Sequence, residues 1–292
     1  MKLKGELYIL AASLLISTYG IFIRQLNIEM GLITQVSLRF IIASVIFYLV
    51  FFRKKGFPEI SGKDAMKLFI AGFFGYGVMV VFYSLSFINT SYSNATTFTN
   101  LTPVFAFVLG WLFLKEKNDL NSTIALLFSI TGIVIAFRPD FSNVNIGMIF
   151  AMASSFLYAM HIVIARGMKD IDSNVRGFYI PFFGGFVLFP FIFLESPSFV
   201  YTGATWMYLA LMGILNFITF YLMQKGLTIV EAKDAGIITS SSILFGIAIS
   251  YFVFNETFST NEIVGALMIF SSIIILNIRK NKGDSNVRNS RY

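Results

Sequence analysis

Ten apolar runs fill this chain, and the second five repeat the first five. The runs cover 6–24, 33–52, 66–88, 93–114, 121–137, 145–166, 174–194, 204–225, 233–254 and 261–279. At roughly 1.5 Å of rise per residue, each covers about the 30 Å of a bilayer's hydrocarbon core as a helix. Lipid offers no hydrogen bonds to bare backbone, so only helices or a closed barrel can span it. Continuous rather than alternating apolarity selects helices. The expected fold is an all-α integral membrane protein with ten transmembrane helices.

Composition removes most chemistry from consideration. With 57% hydrophobic and 13% charged residues, polar surface is too scarce to cover a soluble globule of 292 residues. The absence of cysteine rules out disulfides, thiolate metal sites and a thiol nucleophile, and a single histidine, His161, rules out a multi-histidine metal site. There is no phosphate-binding glycine loop. No catalytic residue, metal or other cofactor is therefore expected.

The net charge of +7 concerns topology rather than nucleic acid. Of 22 Lys and Arg residues, all but Arg24, Arg39 and Arg138 fall in the loops and ends that share the side of the amino terminus. Positive loops stay in the cytoplasm, so both termini are expected there, in a multi-pass protein of the cell (inner) membrane. Lys2 and Lys4 before an apolar run superficially resemble a signal peptide, but that run has a counterpart in the second half and is expected to be retained. The expected partners are a small-molecule substrate and the lipid bilayer, without nucleic acid, for a monomer or homodimer.

A shift of 140 residues aligns 83–135 with 223–275 without a gap, placing Thr102, Phe105 and Glu116 on Ser242, Phe245 and Glu256, and Asn94 on Asp234. A shift of 142 places Gly5 on Gly147 and Ser13 on Ser155. The chain thus divides into repeats over 1–140 and 141–279 and a basic, polar tail over 280–292, expected to be a disordered cytoplasmic segment. Five helices per repeat is odd, so the second copy enters the membrane from the opposite side. Two inverted five-helix repeats supply two nearly equivalent conformations, as alternating access requires.

Three stretches of the first half carry a resemblance: Leu38-Arg39-Phe40-Ile41-Ile42-Ala43, Asn89-Thr90-Ser91-Tyr92-Ser93-Asn94-Ala95-Thr96, and Leu101-Thr102-Pro103-Val104-Phe105 leading to Leu114-Lys115-Glu116. With Glu231-Ala232-Lys233-Asp234-Ala235-Gly236 and Phe254-Asn255-Glu256 of the second half, they resemble the drug/metabolite transporter superfamily, specifically its EamA-type members. The resemblance runs to about Arg279 and implies ten helices in two inverted repeats that export or exchange small metabolites such as amino acids. Ile243 stands where the first half has Pro103, which removes the proline basis for an equivalent kink in the ninth helix.

Polar side chains in mid-span are costly toward lipid and point to a cavity or to helix packing. Helical spacing joins Ser154, Tyr158 and His161 in the sixth helix, Ser13, Ser17 and Gly20 in the first, Thr96, Asn100 and Pro103 in the fourth, and Thr239, Ser242 and Gly246 in the ninth. Tyr76 and Tyr83 in the third helix, and Asn216, Tyr221 and Gln224 in the eighth, add hydrogen-bonding groups. The substrate-binding candidates are Ser17, Tyr76, Tyr83, Thr96, Asn100, Ser154, Tyr158, His161, Asn216, Tyr221 and Ser242, with Pro103 as the kink that frees a carbonyl near Thr99 and Asn100. The competing reading for each hydroxyl is a bond to its own helix one turn back.

Arg39, about two turns into the second helix, either meets an anionic group or snorkels to the interface. Glu116 and Glu256 close the fourth and ninth helices as anchors or gates, and Asn94 and Asp234 read as helix caps. All 15 Asp and Glu residues fall in loops or near helix ends, which leaves no midplane carboxylate relay and makes His161 the candidate for proton coupling. An intramembrane enzyme would need clustered acids, histidines or metal ligands. A scaffold or sensor would need a partner-binding loop, and no inter-helix loop is long enough to fold as a domain.

Overall fold

The computed structural model describes residues 2–54, 56–140, 142, 144–195, 197, 200–254 and 259–289, with side chains described except at 20, 24, 92, 93, 250, 253–254 and 277–289. Among the described residues there is no strand. The ten spans are α1 (Lys2–Leu26), α2 (Leu32–Phe52), α3 (Gly62–Asn89), α4 (Tyr92–Thr99 and Thr102–Leu114), α5 (Leu120–Phe137), α6 (Ile146–Gly167), α7 (Ser173–Glu195), α8 (Gly203–Ile229), α9 (Ala232–Thr239 and Ser241–Phe254) and α10 (Thr260–Asn289). Among the described residues nine helices are long and apolar enough to cross a membrane, and the apolar part of α10, Thr260–Leu276, is shorter.

Short polar residues mark where the helices begin. Ser61, Ser91, Asp119, Asn145 and Thr202 each accept the backbone N–H three residues on, which satisfies a donor that the helix itself leaves without a partner. At α2 the preceding Gly31 has no side chain to do this. Glu195, at the far end of α7, reaches across instead and accepts Ile33 N–H at 2.7 Å, Thr34 N–H at 2.9 Å and Thr34 Oγ1–H at 2.8 Å. The carboxylate also complements the positive end of the helix dipole.

The two halves are interleaved. α1 packs on α8 and α9 of the second half, and its counterpart α6 packs on α3 and α4 of the first; α2 pairs with α7, and α5 with α10. The matched glycines occupy matched crossings. A Cβ on Gly5 would lie 2.8 Å from the Ile229 side chain at the end of α8, and one on Gly147 would lie 2.6 Å from the backbone of Asn89 at the end of α3. Lys2, opening α1, binds Asp234 at the start of α9 at 2.9 Å. Asn145, opening α6, donates to Thr90 at the start of α4 at 3.0 Å. Both contacts tie the first helix of one half to the other half.

Three expectations are corrected. The fourth helix breaks at Asn100–Leu101, where Pro103 has no N–H to give to Thr99, but the ninth breaks as well, at Ser240. There no proline is needed: Thr239 Oγ1 and Ser240 Oγ bond back to Gly236 O and Ile237 O, competing with the helix for its own carbonyls. Asn94 and Asp234 are not caps. Ser91 takes the capping position at α4, while Asn94 Oδ1 accepts Asp140 N–H at 2.7 Å and Asp234 binds Lys2 and Ser122. Finally, α10 continues through the polar tail to Asn289 in place of the expected disordered segment; the stretch has no proline to stop the helix, although its Asn, Gly, Asp and Ser residues favour one little.

Candidate functional site

The breaks in α4 and α9 both line a cavity of about 670 Å³ between the halves. Thr96, Thr99, Asn100, Thr102 and Pro103 line it from α4, and Thr239, Ser240, Ser242 and Gly246 from α9. α1, α2, α3, α6 and α8 complete the wall with Ser17, Arg39, Tyr76, Tyr83, Ser154, Tyr158 and Asn216. Upward the lining reaches Ile23, Leu32, Phe137 and Glu262, which sit at helix ends on the face opposite Lys2. The cavity therefore opens toward that face.

Aromatic rings form its base. Tyr76 lies edge-on to Phe40 at 5.9 Å and to Tyr158 at 5.7 Å, and 4.6 Å from Phe220. Tyr76 sits in a π-helical turn, Phe73–Val78, whose widened backbone is met by α6: a Cβ on Gly75 would lie 2.6 Å from His161 Cβ. Several lining hydroxyls donate to their own helix, as Ser17 does to Leu14 O, Thr99 to Ala95 O and Ser154 to Ala151 O. Asn216 likewise donates to Met212 O. Each of these oxygens keeps the capacity to accept a further hydrogen bond.

Of the residues singled out in the sequence, the structure brings Ser17, Tyr76, Tyr83, Thr96, Asn100, Pro103, Ser154, Tyr158, Asn216 and Ser242 to the cavity wall. His161 and Tyr221 lie elsewhere. His161 is fully buried one turn below Tyr158, its ring 4.5 Å from that of Tyr76 and its Nε2 3.4 Å from Gln224 Nε2. Tyr221 stacks on Phe51 at 5.8 Å. Sequence reasoning missed Tyr19, Gln35 and Thr219, which also line the cavity. Each lies on the cavity face of its helix, α1, α2 or α8, but outside the polar stripes by which that face was read.

Below the aromatic base the bundle is closed. Glu116 accepts Ala232 N–H at 2.7 Å and Lys233 N–H at 3.2 Å, joining the end of α4 to the start of α9. Lys233, 2% exposed, pairs with Asp119 and Glu231 at 3.2 Å each and donates to Lys117 O. Burial raises the Glu116 carboxyl above its ordinary range against the pull of those two N–H donors. At Asp119 burial is outweighed by hydrogen bonds from Ser122 and Lys233, and the carboxyl is held down at about 2. Glu256, the repeat counterpart of Glu116, lies outside the described residues. Among the described residues no cluster of His, Asp or Glu could hold a metal ion.

Known proteins resemble this chain over most of its length. An uncharacterized transporter of Bacillus subtilis, YetK, is 24% identical over 97% of this chain and 90% of its own length. Solute carrier family 35 member G1 of Mus musculus is 26% identical over 94% of this chain and 78% of its own. A crystal structure with 14% sequence identity has the same fold, with a TM-score of 0.78 over 95% of this chain and 98% of that one. The model of the EamA-like transporter family matches twice, at residues 3–138 and 145–278. With both halves matched, the chain belongs to the EamA-like transporter family, a membrane transporter and not an enzyme.

Proposed function

We propose that the protein moves small organic metabolites, amino acids or related compounds, across the cell (inner) membrane by alternating access, as an exporter or exchanger. The observation that carries this reading is the chamber itself, walled by polar groups from both repeats and closed at one end only. Inverted repeats of near-equal structure exchange roles at little energetic cost, so the closed and open ends can swap. The basic loops favour both termini in the cytoplasm, and with that orientation the open end faces outward.

Overexpression with profiling of metabolites inside and outside the cell, followed by flux in proteoliposomes with and without a pH gradient, tests the reading. Accumulation of one class of organic metabolite outside the cell, reproduced as saturable flux in vesicles, supports it. Unaltered metabolite pools together with silent vesicles reject it. Reporter tags at Lys54 and Lys117 should both read cytoplasmic, and tags on opposite faces would reject the orientation.

A further inference from the structure

Among the described residues two arginines are buried within the helical bundle, and they are treated differently. Arg176 in α7 gives its guanidinium to three acceptors: Ala165 O, Gln224 O at 3.1 Å and Thr228 Oγ1 at 2.7 Å. Arg39 in α2 is 3% exposed, and its Nε and Nη1 have no acceptor. Its guanidinium lies 5.5 Å from the centre of the Phe40 ring, on the cavity wall beside the aromatic base, so it does not snorkel to the interface. Among the described residues no carboxylate pairs with it. The two acids of the adjoining loops are engaged elsewhere, Glu195 on the start of α2 and Glu29 on Thr202 and Thr205. A buried cation without a counter-charge is expensive in a membrane interior, and such residues mark ligand paths.

We propose that Arg39 makes the deep end of the cavity an oxyanion subsite, so that the substrate carries a carboxylate or phosphate held by the guanidinium, with its apolar part against Phe40, Tyr76 and Phe220. An anion there supplies the missing acceptor in charge-assisted hydrogen bonds, while the rings accept the rest of the molecule. Among the described residues Glu262, at the mouth, is the one acid on the cavity wall, and it stands at the far end from this subsite. The proposal rests on the transport reading only for calling the ligand a substrate.

Binding to the purified protein in lipid nanodiscs tests it without requiring transport. The probes are phenylacetate, phenyl phosphate and the neutral isostere phenylacetamide, followed by calorimetry and by thermal stabilisation. At least one of the two anions should bind saturably and raise the melting temperature, where phenylacetamide does neither. Arg39→Gln should weaken that anion by roughly thirtyfold or more, and Arg39→Lys by less. Anions that bind no better than the amide overturn the proposal on the wild-type protein alone, even if Arg39→Gln does not fold. Undiminished anion binding by a folded Arg39→Gln protein also overturns it. Which anion binds separates carboxylate from phosphate, and anion binding in a protein without flux would reject transport while leaving the subsite standing.

Discussion

Glu116 and Ala232 join the two repeats at the closed end of the cavity: the carboxylate ending α4 accepts the first N–H of α9 at 2.7 Å. The contact serves α9 as a cap supplied from a different helix, and it lies below the aromatic base, where the chamber stops. Parting α4 from α9 at this end requires breaking it.

Glu116→Ala should therefore shift the protein toward a state open at the end of the termini. Loss of a helix-capping acceptor costs about 1–2 kcal/mol, or on the order of a tenfold change in population. The chain has no cysteine, so spin labels placed through Lys4→Cys and Lys117→Cys report without background. The distance distribution between them should broaden toward longer values in the variant; an unchanged distribution would remove Glu116 from the seal.

Acidity should act on the same contact in a definite direction. The carboxyl of Glu116 is raised by burial in the closed state and regains an ordinary value once solvated. Its contribution to closure is then complete below the ordinary carboxylate range and is lost as pH rises through the raised value. Asp119, held at about 2, has the opposite sign: its contribution is present above the unfolded value near 3.9 and fades only as pH falls toward 2. Above the ordinary carboxylate range only the Glu116 effect operates, so the labelled pair should report progressively less closure as pH is raised from that range. Glu116→Gln should flatten this dependence.

Lys233→Met tests the buried ion pair beside it. Removing the ammonium takes the cation from Asp119, which keeps its bonds from Ser122, and the donor from Lys117 O, at a cost of about 3 kcal/mol. Thermal melting should show the loss, and it should be partly recovered in the double variant that also carries Asp119→Asn. A double variant no more stable than Lys233→Met would place the cost elsewhere.

Much of this was legible in the sequence because the bilayer imposes simple rules. Span edges could be read from apolar runs, and the repeat from a constant offset; the capping residues Asp119 and Asn145 were not picked out. Helical spacing also located the cavity face, since Ser154 and Tyr158, or Thr96 and Asn100, fall on one stripe. Spacing gives a face but not a depth. His161 continues the stripe of Tyr158 yet lies under the ring of Tyr76, because the floor crosses α6 between them. The π turn at Phe73–Val78 and the break at Ser240 were hidden for a related reason: both depend on where backbone hydrogen bonds go, which composition does not record.

The depth of His161 changes what its removal should do. A proton carrier would set the pH profile of transport, but a fully buried ring below the cavity supports the floor instead. His161→Ala should leave the shape of the pH profile as in wild type and lower the melting temperature, by the cost of a cavity of at least about 2 kcal/mol. Loss of pH dependence with unchanged melting would restore the coupling role.

The glycine crossings offer the sharpest test of the repeat, because symmetry predicts two sensitive positions and their local surroundings predict unequal severity. At Gly147 a new methyl group would meet backbone atoms, Asn89 C at 2.6 Å and Thr90 N at 2.7 Å, which cannot move without displacing the junction of α3 and α4. At Gly5 it would meet side-chain atoms, Ile229 Cβ at 2.8 Å and Val230 Cγ2 at 2.9 Å, and Val230 can rotate away in part. Overpacking of this kind costs about 1–3 kcal/mol. Gly147→Ala should sit at the upper end and Gly5→Ala at the lower, read as melting temperatures in the same detergent. Two silent substitutions would mean that α1 and α6 do not approach α8 and α3 as closely as the interleaved architecture demands.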